Sequence, residues 1–113
     1  MPRDLFAGVR VSNLAAALKW YERLFGSPPS FRPNEREAVW ELGEHRFLFI
    51  EEGPDHAGHA RHLLFVDDLD GLIAEIAQRG LQPSEQETYA NGVRKAAYRD
   101  QDGNEFGFGG PPR

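Results

Sequence analysis

The sequence predicts an α+β fold made of two copies of one βαβββ module. The apolar pattern runs from strand alternation to helical spacing and back to strands, and it does so twice in the same order. A shift of 55 residues superposes Val11-Ser12-Asn13-Leu14 on Val66-Asp67-Asp68-Leu69 and Leu18 on Ile73. A shift of 54 superposes Gly26-Ser27-Pro28-Pro29 on Gly80-Leu81-Gln82-Pro83. A unit this small cannot bury its apolar face alone, so pairing the copies is what closes the core.

In the first copy, residues 6–11 alternate as a strand, and Ser12-Asn13 is a helix N-cap signal. Leu14, Leu18, Tyr21, Leu24 and Phe25 recur at helical spacing. Gly26 ends that helix and Pro28-Pro29 forbids its continuation. Residues 31–36 are polar and broken by Pro33, at best an edge strand. Residues 38–42 and 46–51 are two strands around a turn at Gly43-Glu44-His45. Residues 53–60 read as a linker, so the single domain of 1–113 divides into modules at 5–52 and 61–109.

The second copy opens with a strand at 61–66, and Asp67-Asp68 caps a helix that buries Leu69, Leu72, Ile73 and Ile76. Gly80 and Pro83 end that helix. Residues 82–89 form a weak polar strand, Ala90-Asn91-Gly92 a turn, and residues 94–98 the next strand. Asp102-Gly103-Asn104 then turns the chain into a final strand carrying Phe106 and Phe108. Asp100, Asp102 and Asn104 have the spacing of a calcium loop. The glycine that such a loop requires is replaced by Glu105, and no distal bidentate glutamate follows, so a hairpin turn is the better reading.

The 113 residues suffice for one modest core, with 40% hydrophobic and 27% charged residues, the balance of a soluble globular protein. A net charge of −5 argues against non-specific nucleic-acid binding, which needs a basic face. The absence of cysteine excludes disulfides and thiolate metal sites. Neither a signal-peptide apolar segment nor a run of membrane-spanning length is present, so the expected location is the cytoplasm, with no membrane partner.

Strand-helix-three-strands in duplicate, Val-x-[Asn/Asp]-Leu at the start of each helix, and Asp-x-Asp-Gly-Asn before the last strand resemble the vicinal oxygen chelate superfamily, which includes glyoxalases, extradiol dioxygenases and bleomycin-resistance proteins. The resemblance covers about residues 5–109. It implies curved mixed sheets forming a partly open cup, completed across a dimer with strand or module exchange. Catalytic members hold a divalent metal there with His, Glu or Gln. The implied ligand positions are Phe6, Arg61 and Gly107, with a fourth near 48–51 where only Glu51 carries a donor. A phenyl ring, a guanidinium and a glycine bind no cation, so no metal, no cofactor and no catalytic residue are expected. His56 and His59 read as a polar linker and His62 as a core-edge histidine on the helix-packed side of its strand, rather than as a metal site.

The segment Tyr89 to Asn104 looks like the metal-free bleomycin-resistance subgroup, short acidic dimers that bind an antibiotic between subunits. The expected partner is therefore a flat aromatic small molecule, and the expected assembly a homodimer. Strand alternation assigns the cup lining to Phe6, Leu48, Arg61, Leu63, Phe65 and Gly107, with Trp40, Tyr89, Arg94 and Tyr98 adding stacking surface and a hydrogen-bond donor. Gly107 and Gly109 are expected to leave a bare patch for a planar ligand. Two other readings remain at this point: a lyase or oxygenase whose metal is held by Glu51 and histidines, and an accessory dimerisation module.

Overall fold

Each helix begins where an Asx side chain closes its first turn. In the computed structural model, which describes residues 2–113, α1 (Leu14–Phe25) starts at Asn13, whose Oδ1 accepts from the Ala16 amide at 3.0 Å. It stops at Gly26, where a φ of +79° favours a residue without Cβ. The second helix, α2 (Leu69–Gln78), starts at Asp68, which accepts from the Gly71 amide at 3.0 Å. Caps of this kind are worth about 1 kcal/mol each.

The strands are β1 (Leu5–Val11), β2 (Glu37–Gly43), β3 (Arg46–Glu52), β4 (Arg61–Phe65), β5 (Glu85–Thr88), β6 (Arg94–Arg99) and β7 (Glu105–Gly110). They form two mixed sheets of the same topology, β1-β3-β2 and β4-β7-β6-β5. In each, the module's first strand lies parallel to its last, and the remaining neighbours are antiparallel. The edge strand expected at 31–36 shrinks to a single bridge between Phe31 and Val39. Proline at 28, 29 and 33 removes ladder donors, and Arg32 instead donates to the Glu35 and Glu37 carbonyls.

One core unites the modules. Val9, Leu48 and Ile50 from the first sheet, Tyr98, Phe106 and Phe108 from the second, and Tyr21, Leu24 and Ile76 from the helices form a single buried cluster. Phe25 on α1 and Phe106 on β7 form a T-shaped pair, with ring centroids 5.2 Å apart and an interplanar angle of 84°. The two modules therefore press their helix-bearing faces together, and the opposite face of each sheet looks outward. Among the described residues no helix is long and apolar enough to cross a membrane.

The Asp-x-Asp-Gly-Asn turn fastens this arrangement. The Asp100 carboxylate accepts from the Tyr21 hydroxyl (2.8 Å), the Asn104 side chain (2.9 Å) and the amides of Asp102 (2.9 Å) and Asn104 (3.0 Å). Asn104 also donates to the Arg10 carbonyl at 2.9 Å and accepts from the Ala60 amide at 3.0 Å, while Asp102 receives the Ser12 amide at 2.9 Å. These bonds join the second module to the start of the first. They satisfy polar groups that burial would otherwise make costly.

Candidate functional site

Register decides which side chains reach the outer faces. In the first sheet Phe6 pairs with Phe47, Gly8 with Phe49 and Arg10 with Glu51, so these six share the outward face. Phe6 and Phe47 stack at 4.5 Å with an interplanar angle of 10°. In the second sheet the pairs Arg61–Glu105, Leu63–Gly107, Phe65–Gly109, Lys95–Gly109 and Arg99–Glu105 do the same. Phe6, Leu63, Phe65 and Tyr89 are all exposed, at 48%, 60%, 57% and 45%. Large apolar groups standing in solvent on two sheet faces are the molecule's least satisfied surface.

Four residues expected on that surface lie on the other side of their strands. Leu48 is fully buried with Ile50 beneath the helices, because Arg46 to Glu51 is apolar at both parities and alternation alone cannot choose a face. Trp40 pairs with Leu48, is buried, and donates its indole N–H to the Ser27 carbonyl at 3.0 Å. Tyr98 pairs with Phe106 in the core, and burial raises its phenol above the ordinary tyrosine range. Arg94 has the same parity and binds Asp70 on α2 at 2.7 Å. Gly107 and Gly109 do face outward, yet neither is bare. A Cβ on Gly107 would meet Lys95 Cε at 3.0 Å, and one on Gly109 would meet the Phe65 ring at 2.9 Å.

The register also locates the fourth metal position. Gly107 pairs with Leu63, two residues beyond Arg61; the equivalent partner of Gly8, two beyond Phe6, is Phe49. The implied set is thus Phe6, Phe49, Arg61 and Gly107, which offers no oxygen or neutral nitrogen donor, and a divalent cation does not fit it. Glu51 sits further along β3 and pairs with Arg10 at 3.4 Å. His62 is turned inward, its Nε2 3.0 Å from the Gly8 carbonyl, while His56 and His59 are exposed; no three candidate ligands gather among the described residues.

What occupies the outer face of the second sheet is a charge cluster that reading along the sequence did not reveal. The nearly buried Glu105 accepts from Arg61 Nε at 3.0 Å, Lys95 Nζ at 3.1 Å and Arg99 Nη2 at 3.0 Å. Burial works to raise its carboxyl, but the hydrogen bonds from Lys95 and Arg61 outweigh it and hold the group below its ordinary value. Alternation puts Arg61 and Glu105 on the outer side of their own strands, and register brings Lys95 and Arg99 beside them. An open cleft of about 420 Å³ lies beside them, lined by His59, Arg61, Glu85, Arg99 and Glu105. A separate apolar cavity of about 230 Å³ lies between the sheets against Ala7, Phe47, His62 and Phe106, smaller than a drug-sized guest needs.

A family model described as Glyoxalase/Bleomycin resistance protein/Dioxygenase superfamily matches residues 5–108. The crystal structure of a glyoxalase/bleomycin resistance protein from Catenulispora acidiphila is 53% identical, with a TM-score of 0.94 over 97% of this chain and 99% of that one. A bleomycin-binding protein in complex with bleomycin superposes with a TM-score of 0.76 at 21% identity, over 95% of this chain and 97% of its own. Lactoylglutathione lyase from Agrobacterium tumefaciens does so with a TM-score of 0.76 at 15% identity, over 94% and 91%. The last two show likeness of fold. No curated protein matches this sequence significantly. With the family model spanning almost the whole chain, this protein belongs to the glyoxalase/bleomycin resistance protein/dioxygenase superfamily.

Proposed function

We propose that this protein is a non-catalytic binder that sequesters a flat aromatic small molecule, antibiotic-like in character, in the cytoplasm, and so confers resistance or self-protection. One observation carries the reading. The places where the superfamily resemblance puts metal ligands hold Phe6, Arg61 and Gly107, and register points the fourth to Phe49, while exposed Phe6, Leu63 and Phe65 share those same outer faces. Planar guests stack on such rings with large contact area and little ordering cost. Removal of a toxin by binding needs no turnover, only enough protein and a dissociation constant below the toxin's concentration.

Because the modules pack by their helix sides, the two outer faces of one chain point away from each other. A homodimer that sets the first sheet of one copy against the second sheet of its partner covers both apolar faces and forms two equivalent grooves. The glyoxalase-like alternative lacks a donor set, since Glu51 is paired with Arg10 and the histidines are scattered.

Crystallisation with a panel of planar heteroaromatic antibiotics tests the proposal. The expected result is density for a guest stacked on Phe6 or Phe65 between two copies. Outer faces packed directly together, with no space between them, would overturn it.

A further inference from the structure

We propose that the guest carries a carboxylate on its planar ring system, and that Arg61, with Lys95 and Arg99 behind it, binds this group where other superfamily members hold a metal ion. This rests on the binder reading above and narrows it to one chemical class.

Glu105 needs one cation for neutrality, yet three converge on it, from Arg61, Lys95 and Arg99. Glu85, 3.6 Å from Arg99, engages a second charge, so among the ion-paired groups three cations face two carboxylates. Glu87 lies in register with Lys95 but forms no ion pair with any of the three cations.

The surplus is presented outward. The Arg61 side chain is 74% exposed and the Glu105 side chain 5%. Arg61 spends only Nε on Glu105, and both terminal nitrogens hydrogen-bond nothing among the described residues. Two parallel N–H groups are the fork that a carboxylate takes in a bidentate pair. Lys95 is held in place by Glu105, passes over Gly107 where no side chain obstructs it, and its ammonium uses one of three protons there. Leu63 and Phe65 continue along the same strand face and supply the apolar bed for the ring. A structural role for the cluster accounts for a neutralised Glu105; it does not account for a third cation with its fork turned to solvent.

Calorimetric titration with anthraquinone-2-carboxylate, its neutral carboxamide and the 2-aminomethyl analogue tests this on the native protein. The carboxylate is expected to bind at least ~10-fold more tightly than the carboxamide, the scale of one charge-assisted bidentate pair. Arg61→Gln leaves Glu105 with Lys95 and Arg99, so the fold is spared, with an unchanged melting temperature as control. In that variant the preference for carboxylate over carboxamide should fall to within about twofold. If carboxamide or amine binds as tightly as the carboxylate, or if the preference survives Arg61→Gln, the carboxylate inference is overturned and the aromatic binder stands. If none of the three binds, both fall.

Discussion

Lys95 runs through the space that a side chain at residue 107 would claim: a Cβ on Gly107 would stand 3.0 Å from Lys95 Cε. The glycine and the lysine belong to adjacent strands on one outer face, and together they put a tethered ammonium beside the position where the superfamily resemblance implies a metal ligand. Gly107→Ala should therefore push the Lys95 side chain aside by a few tenths of an ångström and loosen its bond to Glu105, read as a lower urea midpoint at unchanged slope. An unaltered midpoint would mean that Lys95 yields freely and is not held as described.

The seam between modules depends on a few buried polar bonds. Tyr21→Phe removes one of four bonds to the buried Asp100 and should destabilise by ~1.5–3 kcal/mol, the range for a hydrogen bond to a charged group. Asn104→Ala strands the Arg10 carbonyl and the Ala60 amide together, and its effect should equal or exceed that of Tyr21→Phe. Urea titration monitored by circular dichroism measures both.

Acid sensitivity should trace to Glu105. Its folded value is depressed, so its stabilisation is complete above the unfolded carboxylate value of about 4.3 and disappears as pH falls through the lower folded value. Melting temperatures between pH 2 and 6 should therefore drop less steeply in Glu105→Gln than in the wild type. Parallel profiles would contradict the assignment.

Covering of the outer faces predicts that the protein is a dimer at micromolar concentration by light scattering. Leu63→Glu places a charge on an exposed apolar position of β4 and should yield folded monomer without lowering helix content. A wild-type monomer would count against grooves shared between copies.

Much of this was legible in the sequence, and the exceptions have physical causes. The helices were marked by Asn13 and Asp68 at their starts and by Gly26 and Gly80 after their ends, signals that act within one turn of chain. The duplication disclosed the paired sheets. Strand faces were harder: β4 carries the apolar run Leu63-Leu64-Phe65, and counting from Arg61 at its polar start gave Arg61, Leu63 and Phe65 their outward side, whereas Phe47, Leu48, Phe49 and Ile50 are apolar in succession and their parity is set by pairing with β1. Trp40, Arg94 and Tyr98 looked like binding residues by type; tertiary packing against the helices decides their place. The Glu105 cluster joins residues from three strands, and only register brings them together. The motif Asp100 to Asn104 was recognised as a turn, while its service as a fastener between modules required the fold.

The central claim is that side chains gripping a planar guest have replaced cation chemistry on these faces. Calorimetric titration of a planar aromatic antibiotic into chelator-treated protein, repeated with added Zn²⁺ or Fe²⁺, addresses it most directly. The account predicts saturable binding near one guest per chain, identical with and without metal. Absence of binding, or binding that emerges only once metal is added, would contradict it.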